Sequence, residues 1–152
     1  MSAGPAPDPA QLLSGTALAV FRLNGQFLSL SERLARPVGL TAAWWQVLGA
    51  VVREPLPVAG IARAMGITRQ SVQRIADLLV DQELAAYQPN PAHARAKLLT
   101  VTAAGRAALT RIDPGHREVA DRLADQLGTD RCQQILTALR ELSQALDVID
   151  PD

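Results

Sequence analysis

The chain has 152 residues, 48% of them hydrophobic and only 3% aromatic, and its 15 basic side chains balance 15 acidic ones. That length supports one domain with a real core, the apolar content excludes disorder across the chain, and the scarcity of aromatics favours helices packed through Ala, Leu, Val and Ile over a β-sandwich. The single cysteine, Cys132, excludes an internal disulfide framework and a Cys-based zinc site, and no apolar run is long enough to span a bilayer.

The N-terminus has no basic segment followed by an apolar one, so the expected location is cytoplasmic, with no membrane partner. The balance of charge is uneven along the chain. Residues 1–52 carry a net +1, residues 53–106 a net +3, and residues 107–152 a net −4. The middle of the chain attracts phosphate, whereas the C-terminal third repels it.

Residues 1–10 contain Pro5, Pro7 and Pro9 and read as a flexible N-terminal arm. Residues 11–36 read as a helix with Leu13, Ala17, Val20, Phe27 and Leu34 along one face, closed at Arg36-Pro37 because a residue before proline avoids the α region. Thr41 has the character of an N-cap, and Leu40 and Trp45 have the spacing of a hydrophobic staple around it. The helix that follows carries Trp44, Val47, Leu48 and Val51 and ends before Pro55 and Pro57.

A short helix spans about Val58 to Met65, with Ile61 and Ala62 inward. Gly66-Ile67-Thr68 is a tight turn, Thr68 caps the next helix, and Ile67 staples onto Val72. That next helix runs to about Gln82. Residues 84–88 and 97–101 read as strands of a hairpin whose long tip holds Pro89, Asn90 and Pro91. Thr102 caps a further helix, which Asp113-Pro114-Gly115 is expected to kink or break. The last helix starts after Gly128-Thr129, and Ile135, Leu139, Leu142, Leu146 and Ile149 form a short heptad seam along it.

Helix, tight turn, helix and hairpin in this order suggest that the helix after Thr68 lies in a DNA major groove while the preceding one braces it. At 100° per residue, Val72, Ile75, Ala76 and Leu79 fall on one side. Gln70, Gln73, Arg74 and Asp77 fall on the other, flanked by Arg69 and Ser71. Gln pairs with adenine, Arg pairs with guanine or phosphate, and a helix N-terminus supplies N–H groups for phosphate. At the hairpin tip, Arg95 and Lys97 suit the minor groove. The expected DNA contacts are therefore Thr68, Arg69, Gln70, Ser71, Gln73, Arg74, Arg95 and Lys97. The first and last helices point to a homodimer, whose two reading helices would match a pseudo-palindromic site.

The segments LTAAWWQVLGAV, VAGIARAMGITRQSVQRIADLLVDQEL and RAKLLTVTAAGRAAL stand in the order found in MarR-type regulators, which the chain resembles over residues 40–109. The resemblance implies a mainly α fold with a small β-hairpin wing: a winged helix-turn-helix over residues 37–109, a dimerisation helix over 11–36 and C-terminal dimerisation helices over 110–152. It also implies a transcription regulator, more often a repressor, which a small aromatic or anionic effector releases from DNA by binding between the dimerisation and DNA-binding parts. Phe21, Phe27, Trp44 and Trp45 are the candidates to line such a site, with core packing the preferred reading of each. The family's wing usually carries Asp two residues before the Arg. His93 stands there instead, so Arg95 lacks that carboxylate, and His93 is itself a candidate for phosphate when protonated.

Cys132 reads as a buried structural cysteine rather than a redox switch, since only Arg131 stands near it. His93 and His116 are too few for a metal centre, Asp113, Asp121 and Asp125 read as a solvated helix face, and neither a cofactor nor catalytic residues are expected. The competing readings are a winged-helix protein–protein interaction module without DNA binding, which would favour aromatic anchors over Gln70, Gln73 and Arg74, and a small-molecule binding or catalytic helical protein.

Overall fold

The computed structural model describes residues 4–151. Its elements are α1 (Pro9–Ala35), a 3₁₀ turn (Arg36–Val38), α2 (Ala42–Val51), β1 (Leu56–Pro57), α3 (Val58–Met65), α4 (Arg69–Asp81), β2 (Ala85–Gln88), β3 (Leu98–Val101), α5 (Ala103–Leu127) and α6 (Thr129–Ile149). The fold is mainly helical with a small antiparallel sheet. The chain divides after Ile112 into two compact units. Among the described residues, no helix is long and apolar enough to cross a membrane.

In the first unit, α1 begins earlier than its apolar pattern suggested. Pro9, read from sequence as part of the arm, is the first helical residue, because the Asp8 side chain caps the Ala10 N–H at 3.3 Å and proline's fixed φ suits a first turn. Residues 1–3 of the expected arm lie outside the described part. The expectation that Arg36 would leave the α region before Pro37 is corrected. Arg36 is helical, with φ −56 and ψ −44, and the chain turns instead at Gly39, whose φ is +81. The Leu40 N–H reaches back to the Ala35 carbonyl at 3.1 Å and the Gly39 N–H to that of Arg36 at 3.0 Å, the paired bonds that close a helix through a left-handed residue. Glu32 then joins α1 to α2. Its carboxylate accepts the Ala42 N–H at 2.8 Å, placing an anion at the helix start, and lies 3.6 Å from Arg36.

Thr41, Thr68 and Thr102 all cap helices as their sequence settings suggested. Thr41 Oγ1 accepts the Trp44 N–H at 3.1 Å, Thr68 Oγ1 that of Ser71 at 3.1 Å, and Thr102 Oγ1 that of Gly105 at 3.1 Å. Gly66 ends α3 at φ +66. At the end of α4 the same left-handed position is filled by Glu83, at φ +59, with bonds from Glu83 to Val80 and from Leu84 to Leu79. A side chain there costs about 1–2 kcal/mol relative to ordinary helical backbone.

The core gathers Val47, Leu48 and Val51 from α2, Ile61 from α3, Val72, Ile75, Ala76 and Leu79 from α4, and Leu99 from β3. The sheet order is β1-β3-β2, both pairs antiparallel, with Leu56 opposite Leu99 and Tyr87 opposite the same residue on the other side. The hairpin expected from sequence thus has a third strand. Pro57, taken only as a helix terminator, sits on an edge strand where its missing N–H costs no ladder bond.

Gly105 permits a close approach of α5 to the chain at Leu84. A β-carbon there would collide with the Leu84 carbonyl and come within 2.7 Å of a Val101 methyl group. Arg106 follows, donating to the Val52 carbonyl at 3.1 Å. The expected break at Asp113-Pro114-Gly115 does not occur, since α5 runs unbroken through Pro114. Proline removes a single bond from this 25-residue helix, and it is exposed, so water can satisfy the Thr110 carbonyl left over. In the second unit, Gly128 opens the chain at φ +81 and α6 follows, with no buried residue.

Candidate nucleic-acid interface

The two faces of α4 separate cleanly. Val72, Ile75, Ala76 and Leu79 are buried, whereas Arg69, Gln70, Gln73, Arg74 and Asp77 are exposed. The α3–α4 turn sets the direction of this helix. Gly66 supplies the left-handed residue, the Ile67 N–H bonds the Ala62 carbonyl at 3.2 Å, and Thr68 is extended at φ −72, ψ 149. Arg69 and Gln70 form the first turn, so their N–H groups have no acceptor within the helix and face outward with the positive end of its dipole.

The candidate side chains are not equally available. Thr68 donates its hydroxyl proton to Ser71 Oγ at 2.9 Å while accepting the Ser71 N–H. Its chemistry is therefore spent on capping, while Ser71 keeps its own hydroxyl hydrogen. Arg69 and Arg74 make no ion pair among the described residues, where the only pairs are Glu32–Arg36 and Arg117–Asp121. Both guanidiniums keep all their donors.

Gln73, one of the expected DNA contacts, is held by two neighbours. Its Nε2 lies 3.0 Å from Asp77 Oδ1 and 2.9 Å from Tyr87 Oη, and Tyr87 donates its hydroxyl proton to the same Asp77 oxygen at 2.6 Å. Burial, followed by the hydrogen bond and charge of Asp77, pushes the Tyr87 phenol up to about 12. Tyr87 belongs to β2, so the trio links α4 to the wing. The i, i+4 spacing of Gln73 and Asp77 was visible in the sequence. Tyr87, fourteen residues away on an alternating strand, gave no such signal.

The wing tip is built from two consecutive turns. Asn90 Oδ1 accepts the Ala92 N–H at 3.0 Å, the Asn90 carbonyl accepts the His93 N–H at 3.2 Å, and the His93 carbonyl accepts the Ala96 N–H at 3.3 Å. The Asn90 side chain shapes the start of the tip by an Asx turn. His93, Arg95 and Lys97 are all exposed on it, and Arg95 has no ion-pair partner among the described residues.

The four aromatic candidates behave in two ways. Trp44 and Trp45 are both half-buried against the core of the first unit. Phe21 and Phe27, preferred as core residues, are instead 69% and 57% exposed on α1. That helix offers the core only its last residues, and Ala35 alone is fully buried. A cleft of about 420 Å³ beside the end of α1 is lined by Ser29, Glu32, Arg33, Arg36 and Pro37, none of them an aromatic candidate. Cys132, expected buried, is half-buried, because α6 buries no side chain completely. Its neighbour Arg131 is engaged by Gln134 at 3.1 Å. Asp113, Asp121 and Asp125 form an exposed face of α5.

The MarR family profile matches residues 38–96. An uncharacterized protein of Mycobacterium tuberculosis, Rv2011c, is 38% identical over 132 residues, covering 87% of this chain and 92% of its own. Among solved structures, a mutant of the E. coli MarR protein complexed with operator DNA matches with a TM-score of 0.71 at 18% identity, covering 90% of this chain and 99% of that one. BpsR of Bordetella bronchiseptica, whose DNA binding is regulated by 6-hydroxynicotinic acid, matches with a TM-score of 0.71 at 23% identity, covering 85% and 98%. The profile spans α2 to the wing tip, and the relative extends the likeness along most of both chains: the chain belongs to the MarR family of transcription regulators.

Proposed function

We propose that this protein is a cytoplasmic transcription regulator that binds a pseudo-palindromic DNA site as a homodimer and represses by occupying it. One observation carries the reading: α4 buries one face completely and presents Arg69, Gln70 and Arg74 on the other, beside a wing that projects Arg95 and Lys97. Such a helix delivers base-reading and phosphate-binding groups to the major groove, while the wing reaches the adjacent minor groove. The net charge of zero is no obstacle, because phosphate attraction is local and the acidic excess lies after residue 106.

The dimer is supported by apolar surface within each unit. On α1, Leu12, Leu13, Leu18, Phe21 and Phe27 are exposed, and on α6, Ile135, Leu139, Leu146 and Ile149 are exposed. On α6 these residues keep the heptad spacing of a face that pairs, while on α1 they are spread more widely around the helix. E. coli MarR has been captured on operator DNA and BpsR responds to 6-hydroxynicotinic acid. By analogy, we take the regulator to be released by a small aromatic or anionic effector, with Trp44, Trp45, Phe21 and Phe27 as candidate contacts.

Selection of bound sequences from random duplex DNA tests the reading. The expected product is an inverted repeat with half-sites about one helical turn apart. Arg74→Ala should then weaken specific binding more than non-specific binding, and Arg95→Ala should lower affinity with little loss of major-groove selectivity. Failure to retain any duplex at low salt would instead favour a winged helix that contacts protein.

A further inference from the structure

The trio of Gln73, Asp77 and Tyr87 is more than a surface contact, because its chemistry dictates which way the glutamine amide faces. Asp77 is an acceptor. Tyr87 has already committed its one hydrogen to Asp77, so toward Gln73 it too can only accept. Both partners therefore require the Nε2 end of the amide, and the reversed orientation would set oxygen against oxygen.

The distances also show how much of the amide is used. The three sides of the triangle are 3.0, 2.9 and 2.6 Å, close to equilateral. The two N–H bonds of an amide diverge far more widely than the two acceptors do. A three-centre bond from one N–H meets both acceptors. The second N–H and the carbonyl Oε1 remain. With the N–H trans to the carbonyl engaged in this way, the cis N–H and Oε1 lie side by side and match the N7 acceptor and N6–H donor on the major-groove edge of adenine.

We propose that Asp77 and Tyr87 are positioning residues that hold the Gln73 amide ready to read adenine. The proposal rests on α4 being the DNA-reading helix. A glutamine on an exposed helix surface normally surrenders its rotamer freedom when it binds, and one already held loses less. Because Tyr87 lies on β2, the same contact sets the amide relative to the wing. The selectivity of a major-groove contact thus depends on a wing residue that touches no base.

Random-duplex selection with the wild type, Gln73→Ala, Tyr87→Phe, Asp77→Ala and Asp77→Asn tests this, with thermal melting of each protein as the folding control. Gln73→Ala identifies the base position that Gln73 reads. The wild type should prefer adenine there by about tenfold, within the range of a good bidentate contact. Tyr87→Phe and Asp77→Ala should cut that preference to about threefold or less while preferences elsewhere in the half-site persist. Asp77→Asn should keep it, because an amide oxygen still accepts both bonds. A preference for another base at that position overturns the proposal, as does an adenine preference unchanged in Tyr87→Phe and Asp77→Ala. Uniform loss at every position alongside a lowered melting temperature also overturns it, since that reports only a structural role. If the wild type enriches no sequence at all, the DNA-reading assignment of α4 fails and takes this proposal with it, an outcome distinct from a clear motif without the adenine preference.

Discussion

The winged region and the terminal helices make opposite use of similar residues. From α2 to β3, nearly every large aliphatic side chain contributes to a core in which Leu48, Ile61, Leu79 and Leu99 are fully buried. On α1 and α6, leucines, isoleucines and phenylalanines lie at the surface, and α6 buries nothing completely. Burial of a large aliphatic side chain stabilises by about 1.5–3 kcal/mol. That gain is realised within the winged region and still available on the two helices. The first has its apolar surface largely covered, and the second leaves its apolar surface open.

The largest expected effect comes from breaking the unsatisfied side of this contrast. Leu139→Glu combined with Leu146→Glu places two charges on the α6 seam. Sedimentation should show monomers, and affinity for a palindromic site should fall by at least about a hundredfold through lost bivalency. Far-ultraviolet circular dichroism of the winged region should change little. A variant that stays dimeric with undiminished affinity would remove α6 from the proposed interface.

Breaking the satisfied side needs only one methyl group. Gly105→Ala drives a β-carbon into the Leu84 carbonyl and the Val101 side chain, where backbone on one side and core on the other leave no room. A loss of about 3 kcal/mol in denaturant unfolding is expected, at the upper end for overpacking. A change below about 1 kcal/mol would mean that α5 can shift away from the α4–β2 corner.

The smallest effect sharpens the contrast at the candidate interface. Tyr87 is the only tyrosine in the chain, so phenolate absorbance reports it alone. Its ionisation should centre on about pH 12. Asp77→Asn should lower that midpoint by removing the carboxylate's charge, while burial keeps it above the ordinary tyrosine value. The folded state favours the neutral phenol. Its contribution to stability is therefore complete below pH 10 and is lost as the pH rises toward about 12. A wild-type midpoint at the ordinary value would argue that the trio does not persist in solution.

Features set by neighbours in sequence were the legible ones. The caps at Thr41, Thr68 and Thr102, the turn at Gly66 and the two faces of α4 all follow from spacings of three or four residues. The rest depended on residues distant in sequence or on what surrounds the chain. Leu56-Pro57 is too short to carry a strand signal and pairs only because Leu98 and Leu99 arrive beside it. Pro114 looked able to kink or break the helix, yet α5 continues through it on an exposed face. Arg36 kept helical backbone because the turn falls three residues later, at Gly39. Phe27 looked like a core residue because periodicity shows that a face is apolar without showing what covers it. At the candidate interface, the exposed residues of α4 were recognisable, but the engagement of Gln73 by Tyr87 was not.

Thr102 has a consequence for how the wing can vary. Its hydroxyl donates to the Glu83 carbonyl at 2.6 Å and its N–H to the Leu84 carbonyl at 3.1 Å, pinning the two ends of the hairpin together at its base. With the stem closed there and along the β2–β3 ladder, the tip is a tethered loop. Doubling the length of such a loop costs only about 0.6 kcal/mol in closure entropy. The span between Gln88 and Leu98 is thus the part of the molecule where residues can be inserted or removed most cheaply, and the reach of the wing can be retuned while the core beneath it stays as it is.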